Sequence, residues 1–180
     1  MTPRFELSSP PYGIRSFRVS DLEALVRNAD DPDVAASLQD CFPHPYREED
    51  GRRFLEHALR EKREVLLAIV EEDVLIGGIG LVPGGDVHAH QAEIGYWLGK
   101  AHWRRGIATR AVGLLTDHAF RELGFLRVWA GVFANNPASM RVLEKNGFER
   151  EGVLRRSVRK NGRFLDQHLF AKLAAGCAGA

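Results

Sequence analysis

The chain has 180 residues, enough for one domain with its own core. Apolar residues make up 44% and charged residues 27%, the balance of an ordinary globular protein. The formal net charge of +1 gives no global attraction to nucleic acid or to an anionic membrane, and no apolar run is long enough to span a bilayer.

Residues 1–11 hold three prolines and two serines and read as an extended lead-in, without the apolar core of a signal peptide. Tyr12 to Val19 reads as a short strand. Ser20-Asp21-Leu22-Glu23 has the capping-box pattern, so a helix is expected from about Asp21. Asp30-Asp31-Pro32 breaks it, and a second helical piece is expected from Asp33 to Gln39. Cys41 to Tyr46 carries two prolines that stiffen a loop. Its aromatics, Phe42 and Tyr46, either line an acceptor pocket or anchor the loop to the core. Glu48 to Glu61 follows as a helix with Phe54, Leu55 and Leu59 on its apolar face.

Glu64 to Glu71 is an apolar run bounded by charge, hence a buried strand. Glu72-Asp73 turns the chain into the strand Val74 to Val82. Gly77, Gly78 and Gly80 inside that strand signal a bulge or the close approach of another segment. Pro83-Gly84-Gly85-Asp86 makes a turn, and His88 to Gly99 is the next strand. A helix over 106–123 ends at Gly124. Leu126 to Phe133 is a strand, and Asn135-Asn136-Pro137 opens a helix that stops at Asn146-Gly147. Phe148 to Val158 and Arg163 to Lys172 are two strands joined at Asn161-Gly162, a type I′ hairpin signal. Residues 174–180 read as a frayed tail. This order gives one α/β domain over 12–173, with a mixed sheet and helices on both faces.

The stretch from Glu93 to Ala111 organises the rest: strand, short basic loop, helix. A helix that starts at Gly106 just after a strand presents backbone N–H groups without carbonyl partners, and its dipole attracts an anion. Gly106 lets the anion approach without a Cβ in the way, and Arg104 and Arg105 add charge. The plainer alternative is a βα turn with solvated arginines. No Walker lysine and no GxGxxG accompany the glycine, so a nucleoside triphosphate or a dinucleotide is not the natural ligand.

Three segments in order carry a resemblance. They are Glu93-Ile94-Gly95-Tyr96-Trp97-Leu98, then Trp103-Arg104-Arg105-Gly106-Ile107-Ala108, then Asn136-Pro137-Ala138-Ser139 with Leu143-Glu144-Lys145-Asn146-Gly147-Phe148. Together they resemble the GNAT acetyltransferases, RimJ/RimL-like branch, over about residues 12–173. Trp103 stands where that family most often has Gln or Arg. The resemblance implies a mostly antiparallel GNAT-like sheet that splays between the strand 88–99 and the strand 126–133. It implies acetyl-CoA as cosubstrate, with Trp97, Leu98, Gly99, Arg104, Arg105, Gly106, Ile107, Ala108, Thr109, Asn136 and Ser139 as its binding residues. It implies transfer of the acyl group to a primary amine by direct attack in a ternary complex. The amine belongs either to a protein N-terminus or to a small molecule.

Such transfer needs a base for the amine, a donor for the carbonyl oxygen and a way to stabilise the leaving thiolate. Glu93 is the candidate base. It stands between apolar Ala92 and Ile94 in a central strand, where an unpaired carboxylate must face a cleft, a water or a cation, and partial burial raises its pKa. The alternative for Glu93 is a structural salt bridge or an exposed strand end. By resemblance Ser139 is the polar group near the thioester sulfur, and Asn136 holds the pantetheine or a water. Helix capping is the simpler role for both. The tyrosine acid that many of the family carry is replaced here by Leu143.

His88 and His90 share one strand face by alternation, but no third ligand has a telling spacing, so no metal is expected. Cys41 and Cys177 show neither metal-ligand spacing nor a disulfide framework, which fits a reducing, cytoplasmic setting. Arg155, Arg156, Arg159, Lys160 and Arg163 form a basic run at the last hairpin. It is either a solvated turn or an attraction for an acidic acceptor. Two other functions stay open, a non-catalytic acyl-CoA sensor and a ribosome- or RNA-associated module. Net charge argues against nucleic acid, no membrane is expected, and a homodimer is not excluded.

Overall fold

The computed structural model describes residues 6–176, with side chains from residue 10. In chain order the elements are β1 (Glu6–Ser9), β2 (Tyr12–Ser16), α1 (Leu22–Ala29), α2 (Pro32–Ala35), α3 (Glu48–Arg60), β3 (Val65–Glu71), β4 (Val74–Pro83), β5 (Gln91–Leu98), α4 (Ile107–Arg121), β6 (Arg127–Phe133), α5 (Pro137–Lys145), β7 (Glu149–Lys160) and β8 (Arg163–Leu173). The strands hydrogen-bond in the order β1-β2-β3-β4-β5-β6-β8-β7. Pairs β1–β2, β2–β3, β6–β8 and β7–β8 are antiparallel, and β5–β6 is parallel. The expected α/β class with a mixed, mostly antiparallel sheet therefore holds.

The chain forms two compact units, one of residues 1–80 with 96–111, the other of 81–95 with 112–180. In the first unit β3 is buried through Leu67, Ala68, Ile69 and Val70, which is why it reads as a continuous apolar run. The glycines of β4 answer a close approach. A Cβ on Gly77 would lie 2.3 Å from the Trp97 carbonyl oxygen, and one on Gly78 would lie 2.7 Å from the Trp97 indole nitrogen. Phe17, Leu25, Tyr46, Leu55 and Leu75 make the core of this unit, with Phe42, Phe54 and Trp97 packed against it. Phe42 meets Tyr46 at 5.0 Å and Trp97 at 5.2 Å between ring centroids. Of the two roles open to Phe42 and Tyr46, anchoring the loop is the one these contacts serve.

One charged group lies deep in this unit. Arg15 is 4% exposed, and its guanidinium donates to both carboxylate oxygens of Asp21, at 2.8 and 2.9 Å. It also donates to the Asp73 carboxylate at 2.7 Å and to the Asp73 carbonyl at 2.8 Å. Burial alone would lower the Arg15 pKa, but the hydrogen bonds to Asp21 and Asp73 raise it.

This use of Asp21 changes the expected helix start. Val19–Asp21 is a 3₁₀ turn, α1 begins at Leu22, and the Asp21 carboxylate accepts from the Arg18 N–H at 2.8 Å. The second helical piece is shorter than expected. It is α2, capped by Asp31, whose carboxylate accepts from the Asp33 N–H at 2.8 Å.

In the second unit β6 alternates: Val128, Ala130 and Val132 are buried, while Arg127, Trp129, Gly131 and Phe133 lie on the half-covered face. The β7–β8 turn forms at Asn161-Gly162, with φ of 50° and 76°, as the type I′ signal requires. His88 and His90 do not share a strand face. Asp86–His88 is a 3₁₀ turn and β5 begins only at Gln91, because the His88 and Ala89 N–H groups donate to the Gly85 and Asp86 carbonyls, at 2.9 and 3.0 Å. Of the expected tail, the Ala174 N–H donates to the Leu126 carbonyl at 2.9 Å. Residues 177–180, Cys177 among them, lie outside the described residues, as do residues 1–5 of the expected lead-in.

Candidate active site

The basic loop belongs to the first unit. β5 ends at Leu98, and the chain turns through a 3₁₀ segment, Lys100–His102, after Gly99. Gly99 has no room for a side chain, since its Cβ would fall 2.2 Å from the Asn28 side-chain oxygen. The Trp103 indole N–H donates to the Leu98 carbonyl at 2.8 Å and pins the start of the loop to the end of the strand. Trp103 thus has a local task at the position where the resemblance leads one to expect Gln or Arg.

Arg104 takes φ +61° and is exposed. Arg105 is held: it ion-pairs with Glu71, donates to the Tyr12 hydroxyl at 3.0 Å, and stacks 5.7 Å from the Tyr12 ring centroid. The hydrogen bonds with Glu71 and then Tyr12 raise its pKa. Arg110 lies over the same ring at 5.9 Å.

Gly106 takes φ +76° with nothing within 4 Å of a built Cβ. Only glycine holds that conformation without strain, and the space in front of it is open. α4 follows at once. Ile107 is buried, Ala108 and Thr109 are half-buried, and the Arg110 N–H is the one that reaches back to the Gly106 carbonyl, at 3.1 Å. The first turn of a long helix therefore opens at an uncluttered glycine, the arrangement that receives a phosphate group. Trp97 and Leu98 offer this loop backbone only. The Leu98 side chain is buried and the Trp97 ring packs on Gly78 and Phe42.

Glu93, Asn136 and Ser139 belong to the second unit. β5 and β6 pair from Gln91↔Arg127 to Glu93↔Trp129. Among the described residues the pairing stops there, although β6 runs on to Phe133. Glu93 thus sits where the two strands part company. Its side chain is half-buried, and burial alone raises its pKa from the ordinary 4.5. Among the described residues no cation or hydrogen-bond donor meets its carboxylate, so the salt-bridge alternative does not apply. A carboxylate kept short of water and of partners is a base of raised basicity.

Asn136 caps α5, its side-chain oxygen accepting from the Ser139 N–H at 3.1 Å. β6 ends at Phe133, four residues or about 13 Å along the strand from Trp129, and Asn136 and Ser139 come after that end. Leu143, at the position of the absent tyrosine acid, is fully buried and serves the core. Tyr46, in the first unit, is no substitute acid: burial and then the Asp50 charge push its hydroxyl up to about 12.

Two residues of consequence escape a reading of the sequence. Glu71 neutralises Arg105 from 34 positions away, and Trp129 stands beside Glu93 by register. The alternation of Trp, Gly and Phe along β6 is the signal that could have pointed to Trp129.

Comparison with known proteins places the domain among acetyltransferases. The chain is 46% identical over 102 residues to a Bacillus subtilis protein named Probable N-acetyltransferase YjcK, covering 57% of this chain and 56% of that one. The chain thus spans little more than half the length of that relative. It is 30% identical to Uncharacterized N-acetyltransferase p20 of Bacillus licheniformis, covering 92% of this chain and 94% of that one. Among solved structures it is similar to Mycobacterium smegmatis RimJ in complex with CoA-disulfide, with TM-score 0.81, 25% identity, and coverage of 98% of this chain and 90% of that one. Residues 13–149 match the acetyltransferase (GNAT) domain, and the chain belongs to the GNAT family.

Proposed function

We propose that this protein is an acetyl-CoA-dependent N-acetyltransferase that modifies a primary amine, with Glu93 as the general base. The observation that carries the proposal is the half-buried, unpartnered carboxylate of Glu93 at the point where β5–β6 pairing ends. Family membership and the likeness to a RimJ in complex with CoA-disulfide support the choice of cosubstrate.

The thioester of acetyl-CoA supplies the activated acyl group. In this reading the opening of α4 at Gly106 holds the pyrophosphate. Its φ of +76° and open surroundings fit an approaching anion. Arg104 and Arg110 supply charge, while Arg105 fixes the loop through Glu71. Ile107, Ala108 and Thr109 contribute the first helical turn, and Trp97, Leu98 and Gly99 contribute backbone. Glu93 takes the proton from the acceptor ammonium, directly or through one water, so that the neutral amine attacks without an enzyme-bound intermediate. Ser139 and Asn136 act at the leaving sulfur and the pantetheine, with Asn136 also capping α5. No cysteine is needed for the reaction: Cys41 is exposed, and no base is paired with it among the described residues. No cluster of three metal-ligating side chains occurs among the described residues, and no helix there is long and apolar enough to cross a membrane.

Release of free thiol from acetyl-CoA across a panel of amines tests this. At least one primary amine should support turnover, and Glu93→Gln should slow it by about 10²-fold, the usual worth of such a base. CoA binding without thiol release from any amine would make the protein a sensor instead.

A further inference from the structure

We propose that Gln167 positions the acceptor by hydrogen-bonding a polar group carried a few bonds from the amine. This rests on the reading of Glu93 as the base. The argument lies wholly within the second unit. Register puts Glu93 beside Trp129 on one face. One alternation further along, both strands carry glycine on that face. Gly95 is exposed, with nothing within 4 Å of a built Cβ, and Gly131 follows Trp129. Beyond the base neither strand contributes a side chain of its own at this level.

Gln167 reaches this face from β8. Its backbone pairs with Phe133, yet its side chain reaches back over Gly131, ending 2.2 Å from where a Gly131 Cβ would lie. That end lies about 7 Å, two residues, along β6 from the level of Glu93 and Trp129. Among the described residues the amide has no hydrogen-bond partner. Neither amide atom is among the buried side-chain atoms cut off from water without a partner, so the amide stays open to a ligand on this face. An apolar side chain would cover Gly131 with less loss of side-chain freedom.

Around it the face is apolar: Trp129, Phe133 and Leu169, which pairs with Gly131. The nearby cation, Arg127, is taken by Glu151 and Gln91. The face thus offers one carboxylate, one amide and apolar walls. It fits a primary amine that carries a carbonyl or carboxamide about five bonds away on an apolar linker.

The test compares n-butylamine with 4-aminobutanamide in steady-state thiol release from acetyl-CoA, for the full chain, Gln167→Leu and Gly131→Ala. The alanine methyl displaces the flexible end of Gln167 without removing it, so the amide is lost from its place even if the leucine variant folds poorly. The wild type should show the lower KM for 4-aminobutanamide. Gln167→Leu should raise that KM about three- to tenfold, the net worth of one hydrogen bond. It should leave the KM values for n-butylamine and acetyl-CoA unchanged, and Gly131→Ala should shift them in the same pattern. A wild type without preference between the two amines, or variants that lose both equally, overturns the role of Gln167 and leaves the base untouched. A wild type that releases no thiol with any amine removes the base reading and this inference together.

Discussion

Arg15 in the first unit and Glu93 in the second are both charged groups withdrawn from water, and the fold treats them oppositely. Arg15 is met by two carboxylates and two backbone carbonyls, those of Asp73 and Ser16, and the pairing outweighs burial. Glu93 is met by none among the described residues, and burial is the cause of its raised pKa. A buried charge with complete partners fixes architecture, because removing one partner strands the other. A withdrawn charge without partners keeps its protonation free to change, which is what a base requires.

The sharpest break of the comparison falls on the paired side. Asp21→Ala leaves Arg15 buried with Asp73 as its remaining carboxylate and should cost about 3–5 kcal/mol in urea unfolding. A loss within ~0.5 kcal/mol would mean that Arg15 is solvated after all. Next comes the loop. Gly106→Glu sets a carboxylate where the pyrophosphate is proposed to lie, and like charges in contact cost several kcal/mol. CoA affinity by calorimetry should fall about a hundredfold or more. The strain of a side chain at φ +76° should add only about 1–2 kcal/mol of instability. Unchanged affinity would remove the pyrophosphate from Gly106.

The smallest effect is the most discriminating. Because burial raises the Glu93 pKa above 4.5, the folded chain holds its proton at pH values where the unfolded chain has lost it. Its favourable contribution is thus complete below 4.5 and is lost as pH rises through the raised value. At neutral pH Glu93→Gln should therefore leave stability unchanged or slightly increased. A clear loss of stability would reveal a structural partner and return Glu93 to the class of Arg15.

Much of the fold was legible because it rests on short-range signals. The Asn161-Gly162 turn and the Asn136-Pro137 helix start each lie within a few residues. The glycines of β4 announced a close approach, though not that Trp97 makes it. What stayed hidden depends on residues far apart: Arg15 with Asp73, 58 positions on, and Arg105 with Glu71, 34 back. Gln167 over Gly131 is of the same kind. Periodicity cannot report such pairs, and the strand expected at His88 starts three residues late because a local 3₁₀ turn holds His88. Glu93 was legible as a carboxylate among apolar neighbours; its lack of partners was not.

The most direct measurement is the pH dependence of thiol release from acetyl-CoA, wild type against Glu93→Gln, with CoA affinity followed in parallel. Wild-type turnover should rise with pH along a limb centred above 4.5, as the raised Glu93 carboxyl loses its proton. Glu93→Gln should lose that limb and about 10²-fold of the rate while binding CoA as before. A variant that keeps both the limb and the wild-type rate would show that the base lies elsewhere.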